Sequence, residues 1–351
     1  MNILLKFVLS VILVTVLALF ALIVYGTITN YRPDEKTIIS ETANPGAIPA
    51  ESELSMLIWN IGYCGLGADM DFFYDGGTMV RTTTANVRTN LEKVLYYLKQ
   101  NKDNDFLLLQ EVDRDSKRSY SLDEFNSISN LLTSHQANFA VNYDVKFVPL
   151  PFTSPLGKVL SGLGTFSRFE PKSSVRFSFP GNYGWPKGLF MLDRCFLVNR
   201  YDVSDGKELL IINTHNSAYD DGSLRKRQME YLKEFLLQEY GKGNYIIVGG
   251  DWNQCPPGFT PPSHMPLFDT KNFSPVQKEY LPSGWTWFFD GNTPSNRRLQ
   301  APYHRDKSPV TVIDFYLLSP NVEGIFNKTT DLDFQNSDHQ PVLAKVRLKK
   351  N

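Results

Sequence analysis

Eight polar side chains sit at or beside the ends of short apolar runs. Ser55-Met56-Leu57-Ile58-Trp59 leads into Asn60, and Asp105-Phe106-Leu107-Leu108-Leu109 leads into Gln110-Glu111. Leu209-Leu210-Ile211-Ile212 ends in Asn213-Thr214-His215, and Tyr245-Ile246-Ile247-Val248 ends in Gly249-Gly250-Asp251-Trp252-Asn253. Nearer the C-terminus, Asp314 lies inside the apolar run Val312 to Leu318, and Asp338-His339 directly precedes the alternating run that begins after Pro341. An ionised carboxylate in an apolar strand is costly unless it is paired or bonded to a metal. Imidazole titrates near neutral pH, which suits it to moving a proton. Any one of these groups alone is more simply a buried polar group with a hydrogen-bond partner. Eight together, each at a cost, point to a chemical site.

Elements that would position them can be read from periodicity. The apolar runs are short, β-branched and bounded by turn formers, as buried strands are. Val87, Leu91, Val94, Leu95 and Leu98 recur at helical spacing ahead of the Glu111 run. Leu224, Gln228, Tyr231, Leu232 and Phe235 do the same ahead of the Asp251 run. Ser121 with Glu124 forms a capping-box pattern before Phe125, Ile128, Leu131 and Leu132. Phe139-Val141-Tyr143-Val145-Phe147 alternates with period two, the pattern of a strand with one buried face. No internal repeat is present, and the pattern predicts one mixed α/β domain.

The six motifs, in this order, resemble the motif set of the endonuclease/exonuclease/phosphatase (DNase I-like) superfamily, and they span about residues 54 to 348. The resemblance implies a four-layer α/β/β/α sandwich, with two packed mixed sheets flanked by helices and the site at one edge. It also implies a hydrolase for phosphate esters. The anionic ester demands that water be activated and negative charge neutralised together, and Mg²⁺ (or Mn²⁺) with oxygen ligands meets the second need. By the resemblance, Glu111 is the carboxylate metal ligand and Asn60 its amide partner. His339 is the general base on water, with Asp338 holding its tautomer. Asp251 orients the nucleophile and Asn253 donates to a phosphoryl oxygen. His215 donates to the phosphoryl group or leaving oxygen, and Asp314 bonds to His215 and keeps it charged.

The N-terminus reads differently. Phe7 to Tyr25 is apolar but for Ser10 and Thr15, and as a helix it would reach about 28 Å, close to the hydrocarbon thickness of a bilayer. It shows no polar face. Residues 1–26 are therefore expected to form an N-terminal transmembrane anchor, 27–53 a linker, and 54–351 the catalytic domain. Lys6 ahead of the run directs the domain to the extracytoplasmic side. A cleaved signal peptide is the competing reading, disfavoured by the length of the run.

Composition narrows the rest. The 36 basic and 37 acidic residues nearly cancel, and no Lys/Arg block marks a nucleic-acid tail. Cys64, Cys195 and Cys255 are too few and too widely spaced for a disulfide scaffold or a zinc pattern. Loops at 64–79, 148–162, 254–270 and 282–309 are expected to shape the substrate site. The aromatic run Gly284 to Phe289 reads as a core strand, while Arg297-Arg298 and His304-Arg305 read equally as phosphate contacts or solvated charges. Three substrate classes fit: nucleic acid, a lipid head group of the sphingomyelin kind, or a phosphomonoester. A non-catalytic, membrane-anchored binding domain on the same fold is the alternative of a different class.

Overall fold

The computed structural model describes residues 2–218, 222–263, 265, 269 and 275–350. The helices are α1 (Ile3–Ile28), α2 (Thr84–Gln100), α3 (Glu124–Leu131) and α4 (Ser223–Gly241). The strands are β1 (Lys36–Glu41), β2 (Glu53–Asn60), β3 (Phe106–Asp113), β4 (Gln136–Val148), β5 (Gly157–Ser167), β6 (Ser173–Ser178), β7 (Cys195–Asp202), β8 (Glu208–His215), β9 (Tyr245–Asp251), β10 (Thr286–Phe288), β11 (Asn296–Arg297), β12 (Val310–Thr311), β13 (Asp314–Leu318), β14 (Val322–Thr329) and β15 (Val342–Leu348).

Two mixed sheets lie face to face. One has seven strands in the order β1-β6-β7-β8-β9-β13-β10, and the other has six in the order β14-β15-β2-β3-β5-β4. Alternation along each strand divides its side chains between two layers. On β2, Met56 and Ile58 enter the inter-sheet core with Phe106, Leu108, Ile211, Ile247 and Tyr316. Leu57 and Trp59 face the other way, into a second core with Val87, Leu91 and Val94 of α2. Leu232 and Leu236 of α4 cover the far face of the seven-stranded sheet, against Phe196, Ile212 and Val248. The architecture is the expected four-layer sandwich.

Three local expectations need correction. Residues 27–53 are not a bare linker: Lys36–Glu41 forms the edge strand β1, paired antiparallel with β6. Further on, Ile48 is buried in the inter-sheet core and its amide donates to Asp202 O at 2.8 Å. The run is short and lacks strict alternation because an edge strand needs only part of its surface buried. The cap of α3 is Asp123, whose Oδ1 accepts from the Asn126 amide at 2.9 Å, and not Ser121. Ser121 has φ 56°, outside the geometry of a capping residue, and Glu124 turns inward to accept from the Asp113 amide. Finally, Asp314 begins β13 and does not sit in its middle.

Gly284 to Phe289 holds β10, which is an edge strand and only half-buried, with Trp287 edge-on to Trp252 and Phe315; its aromatic rings pack against the core without lying inside it. The three cysteines are free and buried. Helix α1 runs for 26 residues, long and apolar enough to cross a membrane, and only its last turns touch the domain.

Candidate active site

Strand register brings the polar residues to one edge. In the six-stranded sheet, the parallel pair β2–β3 sets Asn60 level with Gln110. In the other sheet, the parallel pair β8–β9 sets His215 level with Asp251, and antiparallel β13 sets Asp314 level with Asp251. The seam between the sheets is crossed by amides. Asn60 Nδ2 donates to Asp251 Oδ2 at 3.1 Å, and Gln110 Nε2 donates to Asn213 Oδ1 at 2.7 Å.

Glu111 is turned toward this seam by an irregularity. The pairing of β3 with β5 shifts between Leu109 and Val112, and Glu111 has φ 52°. A bulge of this kind redirects a side chain at a sheet's edge. Glu111 Oε1 lies 3.4 Å from Asn60 Nδ2, so one amide nitrogen sits between the Glu111 and Asp251 carboxylates. Asn60 Oδ1 accepts from the Gly62 amide at 3.0 Å. The expected direct metal ligation by Asn60 would require turning this amide over and breaking that bond. Gly62 itself has φ 51°, and a Cβ there would stand 2.8 Å from Asp338 Oδ1, so both backbone and space call for glycine.

The histidines are paired differently from the sequence-based expectation. Asp314 Oδ2 lies 2.8 Å from His339 Nδ1, not against His215, and is itself held by the Ser295 hydroxyl at 2.7 Å. Asp338 Oδ2 is 3.9 Å from His339 Nε2, too far to hold a tautomer. Asp314, and not Asp338, orients His339. The reason is register: Asp314 enters from the neighbouring sheet strand, whereas Asp338 is the residue next to His339 and its carboxylate turns toward Gly62. The backbone of His339 is fixed by Trp59 Nε1 on its carbonyl at 3.0 Å and Ser337 Oγ on its amide at 3.1 Å.

Burial alone would strip the proton from His339, but Asp314, Asp338 and Asp251 together outweigh it and raise its pKa well above the ordinary value. His215 goes the other way. Burial, helped by the positive Arg194, His339 and Arg118, lowers it well below the ordinary histidine value. Its Nε2 lies 3.3 Å from Asp251 Oδ2, and the bond to Asp314 that was expected to keep it charged goes to His339 instead. Its Nδ1 is buried without a hydrogen-bond partner. Burial also pushes Asp251 up to about 6 and Asp338 up to about 7.

Asn253, at φ 50°, is locked by its amide on Asp251 Oδ1 at 2.9 Å and by Nδ2 on Asn216 O at 2.9 Å. One amide hydrogen is left over from the second bond. Two residues were missed by sequence. Arg118 clasps Asp113 through Nε and Nη2, stacks 3.7 Å from the Tyr63 ring centroid, and places Nη1 3.9 Å from Glu111 Oε2. Asn296 sets its side-chain nitrogen 2.9 Å from His339 Nε2. Neither lies at the end of an apolar run, so periodicity gives no signal for them.

The four groups read equally as phosphate contacts or solvated charges all have partners within the protein. Arg297 is buried, with Nη2 donating to the carbonyls of Gly67 at 2.7 Å and Met70 at 3.1 Å. Arg298 pairs with Asp269, and Arg305 with Asp331 and Asp333. His304 Nδ1 accepts from the Asp306 amide. Of the loops expected to shape the site, 148–162 and 282–309 contain strand residues of β5, β10 and β11. Within 254–270, positions 264, 266–268 and 270 lie outside the described residues.

Would a hard divalent cation fit? Carboxylate oxygens of Glu111 and Asp251 converge on one amide nitrogen from opposite sheets, and Glu111 is only half-buried, which is an oxygen donor set of the right chemistry. Among the described residues, Asp251, Asp314 and His339 also form a group whose ligand atoms lie within 4.8 Å of one another. There, however, His339 and Asp314 are bonded to each other.

Two face-to-face mixed sheets with an imidazole–carboxylate cluster at one edge define a phosphoesterase-type fold. A family model for the endonuclease/exonuclease/phosphatase family matches residues 57–339, and the chain belongs to that family, whose members generally hydrolyse phosphate esters. Solved structures agree on the fold. A protein described as endonuclease/exonuclease/phosphatase from Beutenbergia cavernae DSM 12333 is 19% identical, with 85% of this chain and 72% of that one covered and a TM-score of 0.56. ANGEL2, described as a 2′,3′-cyclic phosphatase, is 17% identical over 88% of this chain and 99% of its own, TM-score 0.55. TDP2 from D. rerio, with single-strand DNA product, is 14% identical over 84% and 99%, TM-score 0.53. A search of curated protein sequences found no match.

Proposed function

We propose that this chain is a membrane-tethered, divalent-metal-dependent phosphoester hydrolase in which His339 activates water. The observation that carries the proposal is the Asp314–His339 bond of 2.8 Å at the seam where Glu111, Asn60 and Asp251 also meet. Asp314 takes the Nδ1–H of His339 and fixes the ring, so that Nε2 faces the seam and handles the proton of the attacking water. Asp251, placed 3.8 Å from Nε2 and tied to Asn60 and Asn253, orients that water. The free hydrogen of the Asn253 amide and the neutral ring of His215 are available to a phosphoryl oxygen, a polar pocket that needs no full charge. Glu111 would hold Mg²⁺ or Mn²⁺, with Asn60 keeping Glu111 and Asp251 at their spacing. Such an ion supplies charge neutralisation at the phosphoryl and leaving oxygens. Asp338 buttresses Gly62 and adds to the negative field around His339.

Helix α1, apolar along its length and exposed except at its end, supports a single span with the domain on the extracytoplasmic side. The test is hydrolysis of plasmid DNA, sphingomyelin vesicles and a soluble bis(aryl) phosphate, with and without EDTA, and with His339→Ala as the blank. Activity on one substrate that EDTA and the variant both abolish would establish the enzyme and its class. A folded chain that binds no divalent ion and cleaves none of the three would favour a non-catalytic binding domain.

A further inference from the structure

We propose that the two loops flanking the active-site edge, the β4–β5 hairpin and the segment before β7, sit in the head-group layer of the bilayer, so that the site opens beside lipid head groups. This rests on the reading of α1 as a membrane span.

The first argument is where α1 ends. A Cβ added to Gly26 would lie 3.2 Å from the Phe190 ring and 3.6 Å from Leu189, so the last turns of the helix rest directly on the segment before β7. That segment is tied to β4 by the Tyr143 hydroxyl, which donates to Phe190 O at 3.0 Å. Residues 3–21 of α1 are exposed. If α1 spans the bilayer, the membrane surface therefore passes close to Phe190.

The second argument is what these loops display. Outside α1, Phe152 on the hairpin (71% exposed) and Trp185 before β7 (70%) are the most exposed large apolar side chains among the described residues. Leu150 and Phe147 add to them on the hairpin, at 41% and 37%. Single exposed apolar side chains are ordinary. A set that adjoins the end of a spanning helix is not, and Trp and Phe beside Lys146 and Lys187 match the composition of a bilayer interface.

The third is position relative to the chemistry. Tyr143 on β4 is level with Ser161 on β5, which is level with Asp113 on β3, two residues past Glu111. From there β4 continues to Val148, projecting about 17 Å beyond the level of Asp113 at roughly 3.3 Å per residue. In the other sheet, Phe196 at the start of β7 is level with Thr214, next to His215. Both loops therefore leave the sandwich at its catalytic edge.

The experiment places single cysteines at Phe152→Cys, Trp185→Cys and, on the opposite edge before β3, Lys102→Cys, in the full chain reconstituted into phosphatidylcholine vesicles. The native thiols are buried, so an environment-sensitive fluorophore reports the introduced site. Labels at 152 and 185 should shift to the blue and be quenched by lipids brominated high on their acyl chains, while the label at 102 shows neither. Alkaline carbonate extraction is run in parallel. If the chain stays in the membrane but all three labels behave alike in water, the loop proposal is overturned and the span stands. If carbonate releases the chain, the span fails and the proposal with it. No arm depends on catalysis.

Discussion

The two histidines at the seam are a few residues' breadth apart, yet the protein treats them as opposites. Around His339, three carboxylates overcome burial and raise the affinity of the ring for a proton, with Asp314 fixing Nδ1. Around His215, burial dominates and the nearby positive groups reinforce it, so both disfavour a proton on the ring. In the proposed reaction the same side chain would handle a proton on one side and meet the phosphoryl group on the other. Neighbours, not residue type, assign the role.

The largest break in that comparison is His339→Ala, which should lower hydrolysis by about 10³-fold while leaving the circular dichroism spectrum unchanged. Asp314→Asn should cost about 10²-fold and also lower the pKa of His339, read by histidine NMR, because the strongest of the three raising partners is gone. A fall in rate without that shift would assign Asp314 a different role. Glu111→Gln should raise the divalent-ion concentration required for half-maximal rate by about 10-fold, with the His339 resonance still titrating.

Stability against pH separates the pair next. The fold disfavours a proton on His215, so its contribution is present at neutral pH and is lost as pH falls below about 6.5, where the unfolded chain protonates. His339 has the opposite sign: its contribution is full below about 6.5 and is lost as pH rises through its raised folded value. His215→Gln should therefore reduce the drop in Tm between pH 7 and pH 5 by about 2 °C, measured by calorimetry. The smallest kinetic effect belongs to Arg297→Met. It strips donors from buried carbonyls and should cost about 1–3 kcal/mol in denaturant unfolding, with hydrolysis nearly unchanged at low temperature.

Much of this was legible in the chain before folding. Apolar runs that end in Asn60, Glu111, His215 and Asp251 are strands, and a strand's end is where a costly polar group can find both partners and solvent. The alternation of runs with amphipathic helices predicts one mixed α/β domain, and the four layers came from the resemblance of the motif set to the family. The pairing of Asp314 with His339 was not legible, because it is set by β13 lying beside β9, a long-range register that local spacing does not encode. Nor was the turn of Glu111 at its bulge, or Arg118, whose stacking on Tyr63 joins two loops distant from each other's pattern. Strand β1 was missed because six residues at a sheet's edge carry too little alternation to stand out from a spacer.

The bonds from Asn60 to Asp251 and from Gln110 to Asn213 give the site a mechanical character of its own. They rivet one sheet to the other at the very place where the chemistry is laid out. The distance from Glu111 to Asp251 is thus a measure of how the two sheets are seated. Thinning the packing directly beneath the rivets, as Ile58→Ala would do, loosens the hinge between the halves of the catalytic group before either sheet comes apart. The proposed hydrolysis should act as a strain gauge for the sandwich, failing on warming ahead of the strands themselves.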